Sequence, residues 1–207
     1  MNEAIVLRKI DFEETSLILN VLTRDGYESL MVKGAKRKNS EKLAISETIS
    51  LIEFEKSRSK KFPSLTEGIV KDSFFEIKND LIKLSIASVV CDYVLMIEGT
   101  ELDTKKLYDL TLMTLDEIKL SNDSEESLFR FEMILSGMLG VGMNKEHIME
   151  AYSPNKELLE DIDNLLKGEK TINRVILRNF MKEYYKDELG LNLRSKKLYF
   201  DLMGDKK

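Results

Sequence analysis

Two short runs of cations hold the residue types in this 207-residue chain best suited to chemistry with a polyanion. "MVKGAKRKNS" places Lys33, Lys36, Arg37 and Lys38 within six positions, and "KSRSKKF" places Lys56, Arg58, Lys60 and Lys61 within six more. Lys and Arg contact phosphate by charge and so bind without reading bases. Gly34 and Ala35 are small enough for the backbone itself to approach a phosphate. The same runs also suit solvated loops that keep a protein soluble. A third basic pattern, Arg174, Arg178 and Lys182 at i, i+4 and i+8, shares one helical face. It reads either as a charged solvent face or as a surface for a partner or a DNA backbone.

Residues for bond-making catalysis are scarce, and no enzyme is expected. His147 is the only histidine, and no nucleophile elbow accompanies it. Cys91 is the only cysteine, so neither an internal disulfide nor a cysteine zinc site can form. "GVG" at 140–142 lacks the lysine and the preceding strand of a phosphate loop. Met133, Met138, Met143 and Met149 are spaced for core packing rather than as a ligand cage. No catalytic residue, metal ligand or cofactor is assigned.

Hydrophobic residues make up 43% of the chain, enough for a packed core. The longest uncharged apolar run, Leu84 to Cys91, stops at Asp92, far short of the roughly 18 residues that span a bilayer. No basic-then-apolar leader stands at the N-terminus. A cytoplasmic protein without membrane contact is expected. The net charge of -5 hides an asymmetry. Residues 1–78 carry 14 Lys and Arg against 13 Asp and Glu, residues 79–166 carry 7 against 18, and residues 167–207 carry 11 against 6. Screening confines each field to about 8–10 Å in physiological salt. A basic groove can therefore work on a protein that is acidic overall.

The elements that must position these residues fall into two kinds. Strand patterns occupy 3–10, 15–23, 27–33, 47–55 and 64–72, with a hairpin turn at "RDG" 24–26. Ile49, Leu51 and, after a shift, Phe54 suggest one buried face with a bulge. After Asn79 the period becomes helical. Asn79 or Asp80 can cap a helix to about Glu98, with Leu81, Leu84, Ala87 (or Ser88), Cys91 and Leu95 as its apolar stripe. Asp103 and Asp123 (or Ser124) can cap two more, and Gly168 and Gly190 can close later ones. A last short helix covers "SKKLYFDLMG". Strands followed by helices predict an α+β protein: a β domain over 1–78 and an all-α domain over 79–207. Five strands with their longest link between the third and fourth match the OB-fold barrel, although an SH3-like barrel would read similarly. An OB-fold often binds single strands with a basic groove and exposed aromatics. Phe62 and Tyr27 are the stacking candidates, with core packing as the alternative for both.

Three stretches, in order, carry a family resemblance. "AIVLRKIDFEETSLILNVLTRDGYESLMVKGAKRKNS" runs from a strand ending in "VL", through an acidic turn and a strand ending in "LT", to a third strand entering "KGA.R..S". "FRFEMILSGMLGVG" (129–142) holds Arg130, Phe131, Glu132 and Gly140, and "GLNLRSKKLYFDL" (190–202) holds an "LRS.K.L" segment. Together they resemble the RecO family of bacterial recombination mediators. Many members carry a four-cysteine zinc module after the second stretch. Here Gly142 leads directly into "MNKEHIMEAYSPNKELL", which has no cysteine. The module is lost or replaced by a short helical hairpin.

The resemblance implies an N-terminal OB-fold, a helical C-terminal domain, binding of single- and double-stranded DNA, and annealing of complementary strands. It also implies contact with RecR and with the acidic, Phe-ended tail of single-strand binding protein, in the service of loading RecA. Such a tail needs an apolar slot and a cation for its carboxylate. Arg130, Arg174 and Arg178 are the arginines available in the helical part. The rival expectation is an adaptor that binds proteins through its acidic helices and has negligible affinity for DNA.

Overall fold

The structure, a computed structural model, describes residues 1–59, 62–142, 145–152, 154–190 and 194–204. Strands β1 (Asn2–Phe12), β2 (Ser16–Thr23), β3 (Gly26–Val32), β4 (Leu51–Lys56) and β5 (Leu65–Asp72) form one antiparallel sheet in the order β3-β2-β1-β4-β5. The β2–β3 hairpin turns where expected. Gly26 takes φ +136°, and the Thr23 hydroxyl donates to Gly26 O at 2.9 Å and accepts from Asp25 N at 3.2 Å. Period-two alternation then sorts side chains to opposite faces of the sheet. Ala4 and Val6 of β1 join Leu19, Val21, Ile52 and Phe54 in an inner core. Ile5 and Leu7 of the same strand join the core built by the helices.

The sheet is OB-like but does not close as a barrel ladder. Its two edge strands touch at a single parallel bridge, Met31 to Ser64, with Met31 N donating to Pro63 O at 2.9 Å. The face expected from Ile49 onward also differs. Ile49 precedes β4 with φ +53° and packs into the helical core, while Ile52 and Phe54 fill the inner one. The register shift falls between Leu51 and Ile52.

A one-turn helix, α1 (Lys42–Ile45), lies in the β3–β4 connection, and α2 (Phe75–Lys78) follows β5. Then come α3 (Leu81–Met96), α4 (Thr104–Leu120), α5 (Ser124–Met138), α6 (Lys145–Tyr152), α7 (Lys156–Lys167), α8 (Arg174–Leu189) and α9 (Arg194–Gly204). Helices α6 and α7 follow the break at Gly140 and Gly142. Side chains cap the helix starts as sequence suggests: Asp80 accepts from Ile82 N and Lys83 N, and Asp103 from Lys106 N. Gly168 and Gly190 end α7 and α8 in the left-handed region. Asp123 precedes α5 but makes no side-chain cap bond, because its carboxylate binds Arg174.

The stripe expected on α3 is buried from Leu84 onward, with Ala87 and Cys91 in the core and Leu84 and Leu95 packed on it, but the buried surface is wider than one stripe. Leu81 is exposed, whereas Ile86, Ala87, Val89, Val90, Tyr93 and Val94 are fully buried. The sheet, α4, α5 and α9 surround this helix, and a helix enclosed that way is apolar on most sides. Polar contacts reinforce the sheet–helix junction. Tyr108 donates to Glu3 at 2.7 Å, Lys119 to Asp72 at 2.7 Å, and Arg24 pairs with Asp109 while lying 4.7 Å over the Tyr108 ring.

Helix α1 is seated against β5 at Gly68, where any Cβ would lie 2.2 Å from Ile45 Cδ1 and 2.8 Å from Glu53 O. The backbone oxygen cannot yield as a side chain can. Gly68→Ala should therefore cost about 1–3 kcal/mol in urea unfolding, as overpacking does. Wild-type stability would show that α1 is not held at this notch.

Candidate nucleic-acid interface

The first basic run is an anchored loop. Ala35 is fully buried, and Lys36 N donates to Thr15 O at 2.9 Å. Gly34 takes φ +73° beneath the Arg37 side chain, which would lie 3.4 Å from an added Cβ. At the far end Ile45 is buried in the inner core. Between these anchors Lys33, Lys36, Arg37 and Lys38 are all exposed. Lys36 Nζ donates to Glu13 O at 3.2 Å and lies 3.5 Å from Asp11. Lys33, Arg37 and Lys38 make no ion pair among the described residues and line a shallow depression of about 500 Å³ with Ser40.

The second run leaves β4 beside the same strand. Ser57 N donates to Ser64 O at 2.9 Å, and Ser57 Oγ accepts from Ser64 N at 3.0 Å, so the base of the loop is pinned. Lys56 Nζ donates to Glu28 of β3 at 2.5 Å. Arg58 is exposed without an ion pair and lines a depression of about 490 Å³ with Ser29, Lys56 and Ser59. Lys60 and Lys61 lie outside the described residues. The Met31–Pro63 hydrogen bond draws this loop against β3, and the first loop leaves β3 two residues later. From Glu28 to Lys33 is five extended residues, about 17 Å. Both basic runs therefore flank one seam of the sheet.

The aromatic candidates part company. Phe62 is 50% exposed beside the second loop. Tyr27 instead packs on the helices, its hydroxyl donating to Val94 O at 2.5 Å. Burial, then the charge of Glu98, raises its pKa well above the ordinary phenol range. It is a sheet–helix contact and presents no stacking face. Cys91 is likewise core, its thiol pushed up to about 12 by burial and then by the charge of Asp92.

Of the helical arginines, Arg130 pairs with Glu117 at 3.1 Å, and its Nε is buried without a partner. Arg174 pairs with Asp123. Arg178 is buried: Nε and Nη2 donate to Glu125 at 2.6 and 3.1 Å, and Nη1 donates to Met203 O at 3.0 Å. Tyr199 donates to the same carboxylate at 2.5 Å. Lys182 lies 5.0 Å over Phe200. Arg178 is thus committed to α5 and α9, while Lys182 stays exposed beside Phe200, so the three cations do not form one open basic stripe. The side chain of His147 and the residue Met143 lie outside the described residues. Met133 is buried, Met138 packs on the helical core, and Met149 is exposed. No metal-binding cluster of His, Cys, Asp or Glu occurs among the described residues.

The counterions Glu28, Asp11 and Glu125 have no signature in sequence spacing. Alternation puts Glu28 on the face of Leu30 and Val32, a carboxylate on the inner-core side at the open end of β3, and that misplaced charge is the one hint at the first.

The fold and seam define an α+β protein: an OB-like sheet with two basic loops at its edge, followed by a helical region. The chain belongs to the RecO family. Residues 1–74 match the family model described as recombination protein O N terminal, and residues 78–151 match that for recombination protein O C terminal. It is 32% identical over 124 residues to the DNA repair protein RecO of Shouchella clausii, covering 59% of this chain and 48% of that protein. Identity is 30% over 142 residues with that of Halalkalibacterium halodurans, covering 67% and 55%. With that of Bacillus subtilis it is 30% over 156 residues, covering 73% and 60%. The chain thus spans about half the length of the curated relatives it matches. No helix among the described residues is long and apolar enough to cross a membrane.

Arg178→Ala should cost about 3–5 kcal/mol, because it leaves Glu125 as a buried, uncompensated carboxylate. Arg174 is 37% exposed, and Arg174→Ala should cost no more than about 1 kcal/mol. Urea unfolding of both variants checks this. Equal small losses would mean that Arg178 does not hold α5, α8 and α9 together.

Proposed function

We propose that this chain is a DNA-binding recombination mediator of DNA repair in the cytoplasm. It anneals complementary strands and, with RecR, helps load RecA onto single strands coated by single-strand binding protein. In this reading residues 1–78 hold single- and double-stranded DNA, and residues 79–207 hold partners; no bond-making step is involved. The observation that carries it is the pair of basic loops at one seam of an OB-like sheet, in a chain of the RecO family. Lys33, Lys36, Arg37, Lys38, Lys56, Arg58, Lys60 and Lys61 are the proposed contacts. A cationic surface offsets repulsion between two phosphate backbones and so favours annealing.

Fluorescence anisotropy of a labelled oligo-dT at several salt concentrations tests this. If about five cations meet phosphates, log K against log salt should slope about -3.5 to -4.5. A slope near -4 weakens binding about 250-fold between 50 and 200 mM salt. Lys36, Arg37 and Lys38 changed together to Ala should flatten the slope. No binding at low salt would favour the adaptor reading, in which the acidic helices are the working surface.

The acidic tail of single-strand binding protein is proposed to dock on the helical part. A depression of about 600 Å³ is lined by Leu120, Arg130, Gly168 and Lys170. Leu120 is 81% exposed there, and the two cations stand among the carboxylates of Glu117, Asp123 and Glu126, so a tail carboxylate must compete with Glu117 for Arg130. Arg174 flanks the adjoining Asp123, and Arg178 supports the site through Glu125. A labelled acidic peptide ending in Phe should bind wild type and lose affinity to Arg130→Glu and Arg174→Glu. Binding indifferent to both would eliminate this placement.

A further inference from the structure

The two basic loops differ in how their paired cations are held. Lys36 meets Asp11 at 3.5 Å, and that carboxylate is 80% exposed, so water and salt screen it. Lys56 meets Glu28 at 2.5 Å, with side chains only 35% and 22% exposed. Both ends of this pair are fixed by backbone. Glu28 sits in β3 opposite Val21 of β2, and Lys56 ends β4 immediately before the Ser57–Ser64 clasp. Ser29, Ser57 and Ser59 surround the pair with hydroxyls, and Arg58 stands on the same rim. This is a setting for a phosphate oxygen, yet a carboxylate of the chain itself occupies its lysine.

We propose that Glu28 is a built-in competitor for phosphate at Lys56, one that lowers the working charge of the second basic loop and thereby limits how tightly the seam holds DNA. A carboxylate and a phosphate oxygen both accept from an ammonium, and only one can take the same Lys56 hydrogen at this distance. The ammonium has three N–H donors, so a phosphate can bind beside Glu28, but the carboxylate already neutralises Lys56 and repels the incoming charge. Lys56 therefore contributes little to the net release of counterions. The inference rests on the DNA-binding reading and adds to it a residue that opposes binding.

Glu28→Gln removes the charge and keeps the shape. With oligo-dT the variant should gain one phosphate contact, steepening the log K against log salt slope by about 0.7. That corresponds to binding about eightfold tighter at 50 mM salt and about threefold tighter at 200 mM. Lys56→Ala should change binding by less than about twofold in the wild type, yet abolish the gain in the Glu28→Gln background. Glu160→Gln, on the exposed face of α7, changes net charge equally and should leave the slope alone. Thermal melting of each variant checks that the fold is retained. A slope unchanged by Glu28→Gln, a gain matched by Glu160→Gln, or an equal effect of Lys56→Ala in both backgrounds overturns the proposal. If wild type binds and loses affinity when Arg37 and Lys38 are removed while Glu28→Gln does nothing, only the competitor role fails. If no form binds oligo-dT, the DNA-binding reading fails with it.

Discussion

Strand β1 belongs to two cores at once, and the rest of the molecule depends on that. Ala4 and Val6 face the inside of the curled sheet, and Ile5 and Leu7 face the helices. A slip of one residue would exchange the two sets. Leu7 falls where the β1–β2 register shifts between Val6 and Arg8. A bulge there puts two residues of one strand opposite one of its partner, and Arg8 just beyond it reaches Asp92 of α3 at 3.4 Å. The helices are thereby docked on the outer face, and Tyr27 is committed to that contact.

The helices cover the outer face at β1, β2 and the start of β3, while β5 keeps Ile69 and Lys71 exposed. Strands β3 and β5 meet at one bridge rather than along a ladder, and the unpaired remainder gives rise to the basic loops. The loops are held at their bases. Ala35 and Ile45 seat the first, and Ser57 with Ser64 closes the second. Holding cations in place before a ligand arrives reduces the ordering cost of binding. The acidic helical region does not cancel their field, because screening acts over about 8–10 Å.

Strand placement, the Asp25–Gly26 turn and the caps at Asp80 and Asp103 were legible because each depends on neighbours within a few positions. Gly168 and Gly190 were legible for the same reason. Partners from distant segments were not. On α3 the stripe from Leu84 to Leu95 was legible, but the breadth of burial was not, because four elements enclose that helix. The pairs Lys56–Glu28 and Arg178–Glu125 span 28 and 53 positions, and no local pattern announces them. Arg174, Arg178 and Lys182 do follow a helical repeat, but the repeat could not say that Arg178 is buried against Glu125 and α9. For Tyr27 the sequence left stacking and core packing open, and its contact with Val94, 67 positions away, decides for packing. The two basic runs stood out by composition, while their meeting at one seam required the fold.

Chemical modification of lysines, with and without bound oligo-dT and read by mass spectrometry, tests the central claim most directly. The seam account predicts that DNA protects Lys33 and Lys38 strongly while leaving Lys105 and Lys106, exposed at the start of α4, as reactive as in the free protein. Protection of the α4 lysines with Lys33 and Lys38 unaffected would contradict it and move the DNA-binding surface to the helices.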